Sequence, residues 1–478
     1  TEIYTLSLHD ALPIYDNDTD DDDDDDDVVA NARARLSALG DSGVSMFAFT
    51  DEGWTQEALP APFVELSPYL TVFSQDEPTY AAVGYAGETK LKSFPDESKA
   101  AILTHNDTDG WTVEQAFAEI DYIGAVRRSP AGELWAVAVE NYDGATDRPV
   151  LDSLLHKNGD AWEQIDFPAA VNDVVYSNEN LDFLPDGTPV LVDDIDEKLP
   201  SHGVIYAYDG SAWNEAALPT VSGIWRFYRE GERPLFSLGG KAYAAGNDME
   251  NETGFVMSYD GTAWALETLP DLPTAEWEVE LFVMCGDVLY LLGSSGVINN
   301  YYLWSTDGGD WTLLSDTSAV GWSYLPISSC GADGKLWLLA HNNAKKGIPY
   351  RVVYADGVSV TVFAEFSPME DDHFLGLTVT ATDTVYLYGE NYNGCLGGDG
   401  MIMHYDGEQF VRDDLPSFVG DDWAFKGLYE TSADELIAPA IDYGDYSGDA
   451  IFVYPGDAWT QLDPPIGEQF EIQDLIVY

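Results

Sequence analysis

Short apolar runs of strand length recur along the chain, and each is bounded by Gly, Asp, Asn or Pro. One stretch shows the pattern in full, with apolar runs at Val279–Cys285, Val288–Leu292, Tyr301–Ser305 and Trp311–Leu314. Runs of this length between turn-forming residues are typical of β-strands rather than helices. We therefore predict four consecutive strands in this stretch, which we name a to d in chain order.

The connection between strands c and d carries a recognisable turn. Tyr259-Asp260-Gly261-Thr262-Ala263-Trp264 has a near copy at Tyr208-Asp209-Gly210-Ser211-Ala212-Trp213. Asp tolerates and Gly readily adopts the positive φ angles of a tight hairpin, so the Asp-Gly pair predicts a two-residue turn. Its repetition favours a conformational role over a metal site for Asp209, Asp260 and Asp406.

The residue that opens strand d marks a repeat. It recurs at intervals of 47 to 57 residues, as an aromatic at every position except one, where Val360 replaces it: Trp54, Trp111, Trp162, Trp213, Trp264, Trp311, Phe410 and Trp459. A period of this size with four short strands is that of a β-propeller blade.

The two ends of the chain complete the blade count. Leu36–Leu59 matches strands b, c and d without a strand a, whereas Phe470–Tyr478 matches a strand a alone. Pairing of these segments would finish one blade and close the ring, which removes the free sheet edges. We therefore predict an all-β chain in which residues 35–478 form a single propeller of nine four-stranded blades. Eight blades are the alternative, if the long first interval contains an irregular unit.

The N-terminal residues stand apart from this pattern. Residues 1–14 resemble a translated sequencing-adapter read-through, which implies an artefact in place of the natural N-terminus and its signal region. Residues 15–34 include eight consecutive aspartates, Asp20–Asp27, whose mutual repulsion predicts a disordered tether. The segment resembles the acidic tethers that follow the lipidated cysteine of bacterial surface lipoproteins, and an acidic linker is the alternative.

The charge balance excludes some partners. The chain has 86 acidic and 20 basic residues, a formal net charge of -66. It would be repelled by phosphate backbones and anionic lipid surfaces, so we expect no nucleic-acid partner. We also expect no membrane insertion, because no apolar run is long enough for a spanning helix. The acidity fits either adaptation to high salt, a halophilic trait, or the binding of divalent cations.

The three cysteines are Cys285, Cys330 and Cys395, and their spacing does not fit a metal site. Cys285 and Cys330 each precede a Gly at matching places in neighbouring repeats. A disulfide between them would fit an exported protein. Two buried thiols are equally consistent with the sequence.

Several units resemble known propeller repeats. Val385–Gly389, followed by Tyr405-Asp406-Gly407 and Leu415-Pro416, resembles a kelch-type blade, although most units lack the double glycine of kelch repeats after strand b. Ser305–Trp311 resembles the Asp-box of sialidase-like propellers and is one residue short of that pattern. The resemblance implies a propeller fold but no single function, because propellers serve as enzymes, receptors and scaffolds.

Aromatic residues between strand d and the next strand a are the candidate ligand-binding residues: Trp225, Trp277, Trp322, Phe374, Trp423 and Phe470. A ring of such side chains at a channel mouth could stack on sugars or grip a peptide, and packing between blades is the alternative. The b-to-c loops, expected on the same face, are acidic and polar: Glu140–Asp143, Asp193–Asp196, Asn247-Asp248, Glu390–Asn393 and Asp442–Asp445. Their oxygens could bind calcium, and solvated loops are the alternative.

No catalytic motif is recognisable, and His105, His156 and His404 share the phase at the end of strand c, which indicates a structural role. We predict no catalytic residue and no metal-binding residue, with calcium as the one cofactor considered. The sequence indicates a monomeric bacterial module, secreted or tethered to the cell surface, that binds a protein or glycan without enzymatic activity. The alternative is a glycan-active hydrolase or lyase with its site at the same channel mouth.

Overall fold

A computed structural model of the chain describes residues 34–477. Its gaps are 41–42, 51–52, 61–68, 74–78, 85–99, 107–108, 121, 140, 144–147, 151–152, 160, 168–180, 194–202, 222–224, 229–233, 271–275, 296–299, 317–321, 343–348, 370–371, 393–397, 417–422, 432–434, 443–448 and 464–469. The predicted artefact at 1–14, the aspartates Asp20–Asp27 and Cys395 therefore lie outside the described residues.

Strands follow one another along the described chain. The first are β1 (Ala34–Gly40), β2 (Gly43–Thr50), β3 (Gly53–Glu57), β4 (Tyr69–Phe73), β5 (Thr79–Gly84), β6 (Ala100–Asn106), β7 (Gly110–Phe117), β8 (Tyr122–Arg128), β9 (Leu134–Val139), β10 (Asn141–Asp143), β11 (Arg148–Val150), β12 (Ser153–Asn158) and β13 (Ala161–Asp166). Then come β14 (Leu181–Phe183), β15 (Pro189–Asp193), β16 (Val204–Tyr208), β17 (Trp213–Glu215), β18 (Trp225–Phe227), β19 (Phe236–Leu238), β20 (Lys241–Asp248), β21 (Thr253–Tyr259), β22 (Trp264–Leu266), β23 (Glu278–Cys285), β24 (Val288–Ser295), β25 (Asn300–Thr306) and β26 (Thr312–Asp316). The last are β27 (Trp322–Cys330), β28 (Leu336–Asn342), β29 (Tyr350–Ala355), β30 (Val360–Phe366), β31 (Asp372–Val379), β32 (Val385–Tyr392), β33 (Gly398–Tyr405), β34 (Phe410–Arg412), β35 (Trp423–Phe425), β36 (Tyr429–Glu430), β37 (Leu436–Asp442), β38 (Ala450–Tyr454), β39 (Thr460–Gln461) and β40 (Phe470–Val477).

The described strands form seven four-stranded sheets, two five-stranded sheets and the two-stranded sheet β10–β11. Neighbouring strands within the sheets run antiparallel. No helix occurs in the described part of the chain, so the prediction of an all-β fold built from four-stranded antiparallel units is confirmed. A helix long and apolar enough to cross a membrane is accordingly not found among these residues.

The stretch from which strands a to d were predicted forms one sheet in the expected order, β23-β24-β25-β26. Each observed strand begins and ends within a few residues of its prediction. Apolar runs bounded by turn residues are therefore a sufficient guide to strand positions in this sheet.

The c-to-d turn has four residues rather than the two predicted. Tyr259 pairs with Trp264, which leaves residues 260–263 as the loop. Asp260 Oδ1 accepts hydrogen bonds from the backbone N–H groups of Thr262 (2.9 Å) and Ala263 (3.0 Å). These bonds lower the pKa of Asp260, and the bond from Ala263 contributes most. The carboxylate thus shapes the loop, in line with the conformational role predicted for it.

The C-terminal strand pairs with the first described strand. β40 runs beside β1 from Phe470 opposite Gly40 to Val477 opposite Ala34, with an irregularity after Ser37. The sheet β3-β2-β1-β40 is therefore built from both ends of the chain, and the predicted pairing of its terminal strands is present.

The chain divides into two compact units. Unit 1 contains the described residues up to Val126 together with those from Asp414 onward, and unit 2 is Arg127–Asp413. Each unit has an apolar core between its consecutive sheets, with fully buried side chains such as Phe47 in unit 1 and Trp304 in unit 2. Burial of large apolar side chains of this kind is the main stabilising contribution to such a fold.

A disulfide joins two sheets of unit 2. Cys285, the last residue of β23, is bonded to Cys330, the last residue of β27, and their Cα atoms are 5.2 Å apart. The two sheets also share a hydrophobic cluster that includes both cysteines. Of the two alternatives that the sequence left open, the disulfide is therefore the one present.

Candidate functional site

The aromatic residues predicted to bind a ligand are buried wherever the structure describes their side chains. Their exposed fractions are 4% for Trp225, 2% for Trp277, 8% for Trp322, 5% for Phe374 and 4% for Trp423. Phe470 is the first residue of β40, and its side chain lies outside the described residues. A ring whose faces are covered by protein cannot stack on a sugar. The expectation that these five side chains form an exposed platform is therefore corrected to packing.

Glycines on a neighbouring sheet make room for two of the tryptophans. A Cβ atom on Gly203 would lie 2.6 Å from Trp225, and a Cβ atom on Gly254 would lie 2.6 Å from Trp277. Gly203 directly precedes β16 and Gly254 lies in β21, so both glycines lie at strand c of the sheet before their tryptophan. Since only glycine allows an indole to approach the backbone this closely, these tryptophans are packing residues between consecutive sheets.

Tryptophans at the start of strand a share one register position, and the β31–β34 sheet has a different residue there. Three of them are paired with a polar residue at the end of strand b, as Trp225–Asp248, Trp322–Asn342 and Trp423–Asp442. In the β31–β34 sheet this position holds Asp372, which is paired with Asn391. Phe374, which the sequence suggested for this position, lies two residues further along and is paired with Gly389. A carboxylate thus replaces the packing tryptophan in this sheet.

Tyr350 occupies the position that is glycine at Gly203 and Gly254, and Tyr301 occupies the same position in the β23–β26 sheet. Tyr350 stands ten residues before the first residue of strand d, as Gly203 and Gly254 do in their sheets. Its ring centroid is 5.4 Å from that of Phe374. Burial, and then the charge of Asp372, raise the pKa of Tyr350, so its phenol is protonated at neutral pH. Tyrosine at this position is therefore shared with the β23–β26 sheet, and Asp372 is the residue that distinguishes this site.

The Asp372 carboxylate is buried and has several partners. Its side chain is 3% exposed. Asn391 Nδ2 donates a hydrogen bond of 2.7 Å to Oδ1, and the backbone N–H of Met369 donates one of 2.9 Å to Oδ2. Arg412 Nη1 lies 3.7 Å from Oδ1. Because a buried carboxylate is costly even with such partners, its presence at a packing position points to a role other than packing.

The next cross-strand pair places an exposed histidine beside a buried glutamate. His373 in β31 is paired with Glu390 in β32, and His373 Nδ1 lies 3.5 Å from Glu390 Oε1. The side chain of His373 is 60% exposed and that of Glu390 is 10% exposed. A carboxylate beside one imidazole nitrogen favours the tautomer that carries a proton on that nitrogen. An imidazole held in this way can transfer protons to and from a bound molecule.

The three histidines of strand c differ from His373 in exposure. Their side chains are 11% exposed for His105, 21% for His156 and 32% for His404. Each packs against an aromatic ring, in the pairs His105–Trp111, His156–Trp135 and His404–Tyr386. These contacts agree with the structural role that the sequence indicates for them.

The acidic b-to-c loops are described only in part, and Glu140, residues 194–196, Asn393 and residues 443–445 lie outside the described residues. Asp248 closes its own loop, because Oδ1 accepts hydrogen bonds from the backbone N–H groups of Glu250 (3.0 Å) and Asn251 (3.2 Å). Among the described side chains, no group of three or more His, Cys, Asp or Glu residues is arranged to hold a metal ion. Calcium binding by these loops stays a prediction.

Comparison with known proteins gives a weak structural likeness and no family. No protein-family model matches the chain, and no curated protein matches it. A dipeptidyl peptidase 4 from Porphyromonas gingivalis is similar with a TM-score of 0.48 at 10% identity, over 82% of this chain and 59% of that one. The dihydro-heme d1 dehydrogenase NirN gives a TM-score of 0.40 at 15% identity, over 81% of this chain and 79% of that one. A protein from Lactobacillus plantarum gives a TM-score of 0.33 at 14% identity, over 70% of this chain and 95% of that one. The chain thus spans less than two thirds of the peptidase.

The prediction of a non-enzymatic binding or scaffolding module is corrected here. The comparisons give no support for a module without enzymatic activity. The aromatic side chains on which that prediction depended are buried in the structure.

Sequence reasoning missed Asp372 and His373, and it noted their partners Glu390 and Asn391 only as part of an acidic loop. Asp372 follows Val360, the first residue of strand d in the preceding sheet, by 12 residues, and Trp225 follows Trp213 by the same interval. The spacing of 12 residues therefore indicates Asp372, but a pattern defined by aromatic residues selects Phe374 instead. His373 follows directly, and its exposure could be known only from the fold.

Proposed function

We propose that the chain is a hydrolase that acts on a glycan, with His373 as the proton-transfer group and Glu390 as the carboxylate that orients it. The observation that carries this proposal is the pair itself, an exposed imidazole 3.5 Å from a carboxylate that is almost completely buried. His373 lies near the start of β31, after the d-to-a connection, and Glu390 lies near the end of β32, which leads into the b-to-c loop. This is the side of the sheet at which the sequence suggested a site.

The chemistry available to a single imidazole favours an ester over a glycosidic bond. Most glycosidases use two carboxyl groups about 5 to 10 Å apart on either side of the scissile bond. In ester hydrolysis one histidine serves both proton transfers. His373 would take a proton from the water that attacks the acyl carbon. It would return that proton to the sugar oxygen as the acyl C–O bond breaks, which yields a carboxylic acid and a free hydroxyl group.

The charge of the chain narrows the class of glycan. A formal net charge of -66 works against the approach of polyanionic polymers. A lyase that cleaves by β-elimination requires a uronic acid, so the same charge disfavours the lyase alternative. The substrate that fits these constraints is a neutral glycan that carries acyl esters.

The site of action that we propose is outside the cytoplasm, in an extracellular or surface-tethered bacterial protein. The Cys285–Cys330 disulfide supports this location, because disulfides persist in oxidising compartments. We keep a monomer as the expected state.

For the fold, we propose nine blades in a ring closed by β40 and β1, of kelch-like or Asp-box-like type. The regular interval of the first residue of strand d and the pairing of the terminal strands support this arrangement. An experimental structure with eight blades, or with β40 placed elsewhere, would overturn it.

The direct experiment is to incubate the purified chain with acetylated xylan and to measure the acetate released. We expect release by the wild-type protein and a fall in kcat for Glu390→Gln with little change in KM, because the glutamate orients the base without binding the substrate. Deacetylated xylan serves as the control for background acetate. If the wild type releases no acetate from this polymer or from other acylated neutral glycans, the proposal fails.

A further inference from the structure

We infer that Asp372 is a positioning residue for the His373–Glu390 pair, an inference that rests on the proposed function. Asp372–Asn391 and His373–Glu390 are consecutive cross-strand pairs of β31 and β32. Successive side chains of a strand point to opposite faces of the sheet, so the two pairs lie back to back. Asp372 therefore acts on the pair through the backbone and does not touch a substrate bound at His373.

Beside His373, the backbone pairing of β31 with β32 is interrupted on one side. The register of β31 and β32 shifts between Phe374 and Gly376, only one residue beyond His373. A bulge locally disrupts the ladder and redirects the bulged strand. On the other side of His373, the 2.7 Å hydrogen bond from Asn391 Nδ2 to Asp372 Oδ1 joins the two strands. This side-chain bond therefore fixes the register at the pair, where a slip of one residue would turn His373 to the other face.

Asp372 also fixes the direction in which the chain enters β31. Its backbone N–H donates a hydrogen bond of 3.2 Å to Met369 O, and the Met369 N–H donates one of 2.9 Å to Asp372 Oδ2. Arg412 in β34 lies 3.7 Å from the same carboxylate. One buried side chain thus connects β31, the strand that carries His373, to β32, to β34 and to Met369.

The experiment compares Asp372→Leu, Asp372→Asn and Asn391→Leu with the wild type. Asp372→Leu and Asn391→Leu remove the bond between the strands, whereas Asp372→Asn retains an oxygen that can accept it. In acetate release, we expect kcat to fall by about 100-fold for both leucine variants with KM nearly unchanged, because a displacement of the base by about 1 Å costs this much. Asp372→Asn should restore most of the rate.

A readout independent of turnover separates this inference from the proposed function. Nitrogen-15 spectra of the chain with labelled histidines report the tautomer of each of its seven imidazoles. We expect a single His373 tautomer in the wild type and in Asp372→Asn. The leucine variants should show a mixture, as should Glu390→Gln, while the melting temperature confirms that each variant is folded. An unchanged His373 signal in folded Asp372→Leu or Asn391→Leu overturns the positioning role, whatever the enzymatic activity of the wild type.

Discussion

At the scale of single residues, a buried charged side chain needs several partners. Glu57 in unit 1 is an example. Its side chain is 14% exposed and accepts hydrogen bonds from Arg35 Nε (3.2 Å) and Trp111 Nε1 (2.7 Å). His105 Nε2 lies 3.2 Å from Oε1. Burial alone would raise the pKa of Glu57, but the hydrogen bond from His105, the charge of Arg35 and the bond from Trp111 together lower it below its ordinary value of 4.5.

This shift predicts a pH-dependent stability. The pKa of Glu57 is lower in the folded than in the unfolded chain, so its stabilising contribution is present at neutral pH and is lost as the pH falls below 4.5 through the folded pKa. Glu57→Gln leaves Arg35 buried without its carboxylate and should lower the free energy of unfolding by about 3 kcal/mol at neutral pH. Urea unfolding followed by tryptophan fluorescence measures this difference.

The difference between wild type and Glu57→Gln should shrink in acid, because the wild-type carboxyl is then protonated as well. Glu408→Gln, at an exposed position in a c-to-d turn, is the matched control and should change stability by less than about 0.5 kcal/mol. A difference that stays constant as the pH falls would show that the charge of Glu57 is not what stabilises unit 1.

At the scale of elements, the Cys285–Cys330 bond links the first strands of two consecutive sheets across 45 residues. Closing a loop of this size restricts the unfolded chain and stabilises the folded one by roughly 3 to 4 kcal/mol. We expect the double variant Cys285→Ser and Cys330→Ser to melt at a lower temperature than the wild type. A reducing agent should lower the melting temperature of the wild type but not of the double variant.

Cys395→Ser is the control for this experiment, since it removes a thiol and leaves the disulfide in place. Titration of free thiols in the unfolded wild type should give one thiol per chain, from Cys395. Three thiols would show that the bond does not form in the cell that made the protein, and would remove the support for an exported protein.

At the scale of the whole molecule, the formal net charge of -66 is the dominant electrostatic feature. Self-repulsion of this size opposes the compact state and is screened over about 10 Å at 0.1 M salt. We predict that the melting temperature rises with potassium chloride, as expected for adaptation to salt. Calcium chloride at equal ionic strength should give no greater rise.

This comparison separates the two interpretations of the acidity. If calcium raises the melting temperature well beyond potassium at equal ionic strength, and a chelator reverses the gain, the acidic loops bind cations and salt adaptation is not the explanation.

The sequence predicts the elements of this molecule better than its site. Apolar runs bounded by turn residues placed β23 to β26, because strand formation depends on local patterns. The incomplete repeats at the two ends of the chain predicted the pairing of β40 with β1. The spacing of Trp225 and Trp277 gave their phase in the repeat but not their burial. That burial depends on Gly203 and Gly254 in strands of the preceding sheets, which no local pattern connects with them.

The candidate site depends on features of the same non-local kind. Glu390 and Asn391 were noted as part of an acidic loop, but their partners His373 and Asp372 became visible only with the register of β31 and β32. Asp372 stands out only when it is compared with the tryptophans at the same position in other sheets. In a repeat protein, a candidate functional residue is therefore found where one unit differs from the others at the same strand register. The comparison must align the units by register and not by residue type.

The most direct test of the account is the kcat/KM for acetate release from acetylated xylan by His373→Ala and by His404→Ala. His404 is the matched control, because it lies in the same sheet, also pairs with a carboxylate, and packs against Tyr386. We expect kcat/KM to fall by about 100-fold or more for His373→Ala and to stay nearly unchanged for His404→Ala. Wild-type activity in His373→Ala, or an equal loss in both folded variants, would contradict it.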